Sequence, residues 1–200
     1  MLYIIGLSHK AQVRKRCTPE TDVQKAFAEC LRNSVNELRP DFIAEEYSSE
    51  RLDRKFEDSI AKEIALENKI THKFCDPTPQ ERCDIGYPAP GSIFHALEMP
   101  NSEGLSVNEL KTKTYAIMIG RYFGIREQFW LARLRECPDG DGIFICGDGH
   151  IESFTQLLDA NQVVWKVIAR RIGFIPGEDD DIQRAKQYLR EHPELADWNP

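Results

Sequence analysis

The chain has 200 residues, 41% hydrophobic and 30% charged, so it carries enough apolar material for a sizeable core and is not composed like a disordered segment. Its net charge of −7 argues against a protein that coats nucleic acid non-specifically, while a local basic patch stays compatible with it. No apolar run approaches the ~18 to 20 residues that cross a bilayer, and the N-terminus lacks the basic-then-apolar pattern of a signal peptide, so a cytoplasmic protein without membrane contact is expected.

In chain order, Leu2-Tyr3-Ile4-Ile5 reads as a buried strand that runs into Gly6-Leu7-Ser8-His9. A polar loop with Lys10, Arg14, Lys15 and Arg16 is expected from His9 to Cys17. Thr18-Pro19-Glu20 then reads as N-cap, first-turn proline and first-turn acid. The helix behind them presents Val23, Phe27, Leu31, Val35 and Leu38 on one face until Pro40 stops it. Asp41–Ala44 predicts a short strand ending on Glu45-Glu46. Leu52, Phe56, Ile60, Ile64 and Leu66 are spaced for a helix, and Ile70–Phe74 for a strand closing on Cys75-Asp76-Pro77.

Pro79, Gly86, Pro88, Pro90 and Gly91 break the pattern, making residues 77–122 the expected place for a lid or an inserted helical segment. Helices are expected within Val107–Tyr122 and Ile125–Leu134. After the Pro138–Gly142 turn, the strand Ile143–Cys146 enters Gly147-Asp148-Gly149-His150, a second Gly-x-x-His. A helix through Ile151, Phe154, Leu157 and Leu158, a strand over Val163–Ile168 and a final helix capped by the acidic run Glu178–Asp181 complete the chain. Arg170-Arg171 would add to the basic patch.

Strands alternating with helices define an α/β fold: a single domain over 1–200, a mostly parallel sheet flanked by helices, and a site at the carboxyl edge of the strands. Cys17, Cys30, Cys75, Cys83, Cys137 and Cys146 form no CxxC pair and are expected as reduced thiols, not zinc ligands or nucleophiles.

Four expected strands end in polar residues, at His9, Glu45-Glu46, Asp76 and His150. In a parallel sheet these tips share one edge. Two imidazoles with a carboxylate suit a divalent metal or acid–base chemistry without one. Alternation along a strand lets only one of Glu45 and Glu46 face a given site. Asp76 is equally explained as an Asp-Pro turn. Arg126 reads as an anion holder, with a surface ion pair as the alternative.

The ordered set resembles the TraB/Tiki superfamily: Gly6 to His9, then Arg39-Pro40-Asp41-Phe42-Ile43-Ala44-Glu45-Glu46, then the helix from Arg126 to Leu134 before Gly147 to His150. The resemblance, which includes erythromycin esterase-like and ChaN-like branches, implies a site of His9, Glu46, Arg126 and His150. Members are described as metal-dependent proteases, esterases and iron- or haem-associated proteins, so family alone does not fix the chemistry.

The expectation is therefore a hydrolase of peptide, ester or phosphoester substrates. His9, Glu46 and His150 would hold a divalent cation or a water, and Glu45 or Glu46 would take the water's proton. Arg126 would hold developing charge, and Lys10, Arg14 and Asp76 would contact substrate. Two alternatives stand beside it. One is a nuclease or nucleotide hydrolase using the basic loop 10–16, with nucleic acid not favoured as partner. The other is a non-catalytic binding module. A homo-oligomer is compatible with either.

Overall fold

Alternation along the strands sorts the apolar side chains into two cores. The computed structural model describes residues 1–50, 52, 57–101, 105–174 and 180–198. Its strands are β1 (Leu2–Leu7), β2 (Val13–Lys15), β3 (Phe42–Glu45), β4 (Glu57–Ser59), β5 (Thr71–Phe74), β6 (Gly142–Gly147) and β7 (Trp165–Ile172). Its helices are α1 (His9–Gln12), α2 (Asp22–Leu38), α3 (Ile60–Glu67), α4 (Pro79–Asp84), α5 (Pro90–Asn101), α6 (Val107–Ile117), α7 (Phe123–Leu134), α8 (Ile151–Ala160) and α9 (Asp180–Glu191). Five strands form a sheet in the order β5-β3-β6-β1-β7, every neighbour parallel, as the α/β pattern requires.

The chain divides into two compact units, 1–78 with 127–174 and 79–126 with 175–200. In the first, Ile5, Leu7, Ile43, Ile143 and Ile145 point to one side of the sheet and pack with Phe27 and Leu31 of α2 and Ile60 and Ile64 of α3. Ile4, Phe42, Ala44, Phe144 and Cys146 point to the other and pack with Trp130, Leu131 and Leu134 of α7 and with Phe154 and Leu158 of α8. The aromatic rings of Trp130, Phe144 and Phe154 meet at 5.0 to 5.8 Å between centroids, an arrangement that ties α7 and α8 to the sheet.

These cores fix the crossovers. The helices that follow β1 and β3 cover one face, and the helix that follows β6 covers the other. The chain therefore leaves neighbouring strands on opposite sides at β6, which makes its tip a topological switch point, where open α/β sheets bind ligands. The registers Leu7↔Gly147 and Glu45↔Ile145 bring the three tips level.

Three local expectations are corrected. The stretch after His9 is not a polar loop: residues 9–12 form one helical turn and 13–15 pair antiparallel with 57–59. The cap of α2 is Thr21, not Thr18, because Thr21 and Gln24 close a reciprocal capping box. The helix sought from Leu52 begins at Ile60, capped by Ser59, while residues 51 and 53–56 lie outside the described residues.

The second unit is helical in its described parts, with Ile93, Leu97, Leu110, Ile117, Met118 and Tyr122 in its core alongside Ala185 and Leu195. The stretch expected to carry a lid or inserted helices thus contributes α4, α5 and α6. Of the acidic run Glu178–Asp181, residues 178 and 179 lie outside the described residues, and α9 starts at Asp180.

All six cysteines are free thiols: Cys17 and Cys83 are exposed, Cys30 and Cys137 partly covered, Cys75 and Cys146 buried. Burial pushes the Cys75 thiol well above its ordinary range, and those of Cys30 and Cys137 upward too. Native protein is therefore expected to release Cys17 and Cys83 first to a disulfide reagent, and Cys75 and Cys146 only on unfolding. Simultaneous reaction of all six would contradict this core. The unfolded chain gives up thiol protons before the folded one, so stability falls as pH rises past ~9.

Candidate functional site

Each histidine arrives by the same local device. His9 opens α1 directly behind β1, and His150 ends a single helical turn between β6 and α8. Neither Gly6 nor Gly147 adopts a left-handed backbone, so the glycines do not serve the turn itself. Their role is close approach. A Cβ on Gly147 would sit 2.9 Å from His9 Nε2 and 3.4 Å from Glu46 Oε2, and one on Gly6 would sit 2.4 Å from Asp148 Oδ1. Each glycine makes room for a side chain of the other copy, which locks the two motifs together across adjacent strands.

Glu46 stands at the centre. Its backbone N–H donates to Ile145 O, and its Oε2 accepts from Gly147 N–H at 2.6 Å, a charge-assisted bond that fixes the carboxylate. Its Oε1 lies 3.6 Å from His9 Nε2 and 3.7 Å from His150 Nε2. The Nδ1 atoms are turned elsewhere: that of His150 to Glu127 Oε1 at 2.8 Å, that of His9 to Gln12 Oε1 at 3.5 Å. Glu127 also accepts from Ser153 Oγ at 2.5 Å. With Glu127 Oε1 as the acceptor at Nδ1, the neutral imidazole turns its Nε2 lone pair to Glu46 Oε1. Acceptor atoms so arranged are complementary to shared positive charge, either protons or a cation.

Burial grades the site. The His150 side chain is 5% exposed and that of Glu46 fully buried, whereas that of His9 is 53% exposed. His9 also stands on the wall of an open cleft of about 400 Å³ with Lys10, Lys15, Tyr47 and Glu57, which makes it the member that solutes reach.

The remaining expected residues fall elsewhere. Glu45 points to the opposite face, as strand alternation requires, where Gln12 Nε2 (2.6 Å) and Ser59 Oγ donate to its carboxylate and His72 Nε2 lies 2.8 Å from it. It therefore leaves the role of proton acceptor to Glu46. Asp76 is buried and accepts from Trp130 Nε1 at 3.3 Å. Trp130 in turn meets the His150 ring, centroids 4.8 Å apart, so Asp76 acts on the site through packing. Arg14 is engaged by Glu20 and Glu63 and Arg16 by Asp58, so these two arginines are bound up in holding the β2–β4 ribbon. Arg170 pairs with Asp148 at 2.8 Å. Arg126 is buried in the second unit, its guanidinium 5.6 Å from the centre of the Tyr87 ring.

Sequence reasoning passed over Glu127, Gln12, His72 and Trp130. Three carried a signal: Gln12 follows His9 by three residues, and Glu127 and Trp130 are three apart on one helix face. Nothing local marks His72.

Among the described residues, no group of three or more His, Cys, Asp and Glu forms an assembled metal cage. Two ligands ~2.1 Å from one cation stand ~3.0 to 3.6 Å apart for angles of ~90° to 120°. The separation of His9 Nε2 from Glu46 Oε1, 3.6 Å, lies at the edge of that span and that of His150 Nε2, 3.7 Å, just beyond it, so both imidazoles would have to draw inward to share a cation with this oxygen.

Fold and site together define an α/β protein with a two-histidine, one-carboxylate cluster at the switch point of a parallel sheet. No protein-family model matches the chain, and neither does a curated protein or a solved structure.

Proposed function

We propose that this protein is a hydrolase of the TraB/Tiki type, with Glu46 as the proton acceptor between His9 and His150. One observation carries the reading: both Nε2 atoms face a single buried carboxylate oxygen whose partner oxygen is tied to Gly147. The water oxygen bonds to an acyl or phosphoryl centre while its proton passes to Glu46. His9, the solvent-facing imidazole, gives a proton to the leaving group as that bond breaks. His150 is oriented by Glu127 and turns its Nε2 to Glu46 Oε1, while Gly147 N–H holds the Glu46 carboxylate in place. If His9, Glu46 and His150 instead held a divalent cation, the cation would supply Lewis-acid polarisation of the electrophile, and His9, as a ligand, would not act as the acid.

The test is metal analysis of purified protein after equilibration with Zn²⁺, Mn²⁺ or Fe²⁺, alongside hydrolysis of nitrophenyl acetate, nitrophenyl phosphate and a peptide. Near-stoichiometric cation and turnover of one substrate are expected. No cation bound and no turnover of any of the three would reject the proposal. The nuclease alternative is weakened by the carboxylate partners of Arg14 and Arg16, and the non-catalytic one by the convergence of both imidazoles.

A further inference from the structure

Glu45 takes no proton in the proposed reaction, yet it is fully buried together with Gln12. Ser59 Oγ, which itself accepts from Lys62 N–H, donates to Glu45 Oε1, and His72 Nε2 lies 2.8 Å from the same oxygen. Oε2 is left to Gln12, whose Nε2 donates to it at 2.6 Å and to the Glu46 main-chain carbonyl at 3.4 Å. A main-chain carbonyl can only accept, and so can an ionised carboxylate. The Gln12 amide therefore has one orientation, nitrogen toward Glu45 and Glu46 and oxygen toward His9. That oxygen lies 3.5 Å from His9 Nδ1. Reversing the amide would set its oxygen against two acceptors in a buried place, where an unmade hydrogen bond is costly.

We infer that Glu45 and Gln12 are positioning residues that select the tautomer of His9, placing the proton of the neutral ring on Nδ1 and the lone pair on Nε2, opposite Glu46 Oε1. Glu127 does this for His150 in one step, whereas Glu45 reaches His9 through an amide. Either chemistry of the site needs this tautomer. It is the form left when Nε2 of the imidazolium gives its proton to a leaving group, and the form whose Nε2 ligates a cation. The consequence for turnover rests on the hydrolase reading; the tautomer does not.

Long-range proton–nitrogen NMR correlation of the imidazole rings tests it, on chelator-treated protein so that no cation selects the tautomer, and at a pH where the His9 signals have stopped moving. Those signals are assigned by their absence from His9→Gln. Wild-type His9 is expected to carry its proton on Nδ1. In Gln12→Met, similar in volume but without the amide, the proton is expected on Nε2, where Glu46 Oε1 is the remaining acceptor. His150 is expected to keep its Nδ1–H form in the same spectrum, which reports an intact site around it. For turnover, kcat is expected to fall roughly tenfold with KM unchanged. A wild-type His9 with its proton on Nε2, or an unchanged tautomer in folded Gln12→Met, would overturn the inference. Should Gln12→Met fail to fold, the wild-type spectrum decides alone. The expected tautomers without turnover of any substrate would uphold the inference and count against the hydrolase.

Discussion

Glu46→Gln is expected to lower hydrolysis by roughly 10²- to 10⁴-fold and to abolish cation uptake while the protein stays folded. Glutamine keeps the volume and one acceptor for the Gly147 N–H, now bound at 2.6 Å, so the turn after β6 survives. What disappears is the negative charge between the Nε2 atoms of His9 and His150. Turnover and metal content, read beside a thermal unfolding curve, separate loss of site from loss of fold. Unchanged turnover and unchanged metal in a folded variant would remove Glu46 from the machinery. His150→Ala should silence the site as well, but less cleanly. It strips a partner from the buried Glu127 and a ring from Trp130, and losing one member of a buried pair costs ~3 to 5 kcal/mol.

The second large effect is structural. Gly142→Ala is expected to destabilise the protein by ~1 to 3 kcal/mol or more, because a Cβ there would lie 2.0 to 2.4 Å from three atoms of the buried Phe42 ring. Phe42 sits in β3 directly opposite Gly142 and belongs to the core under α7, so it has little freedom to withdraw. Gly147→Ala should behave in the opposite way. Its nearest obstacle is the tip of His9, which is half-exposed and can swing aside. Stability should then change little while His9 leaves Glu46 and turnover falls. Thermal midpoints and rates measured on both variants check the contrast. A Gly142→Ala variant as stable as wild type would mean that β3 and β6 pack differently there.

The strands were legible because each is a short apolar run closed by a turn signal, and all five sought in the sequence occur in the sheet. The basic segment after His9 was misread for a physical reason. Its charges suggest a solvated loop, but Arg14 and Arg16 meet carboxylates 49 and 42 residues further along the chain, and Arg14 also meets Glu20 on the approach to α2; those partners make a ribbon of it. No window of sequence contains both halves of such a pair. Glu45 and Glu46 illustrate a finer limit: alternation says that they diverge, but which one faces the histidines depends on the face to which β3 turns its core.

By itself, the sequence determined the α/β class, the parallel sheet and the presence of polar residues at its carboxyl edge. These depend on periodicity, turn chemistry and strand length, which are local. Only the tertiary structure decided that β6 lies between β1 and β3, that the two motifs interlock glycine against partner side chain, and that Glu127 and Gln12 orient the imidazoles. Strand order and buried polar pairing are chosen by contacts between distant segments, where burying a polar group without a partner costs more than any local preference can offset.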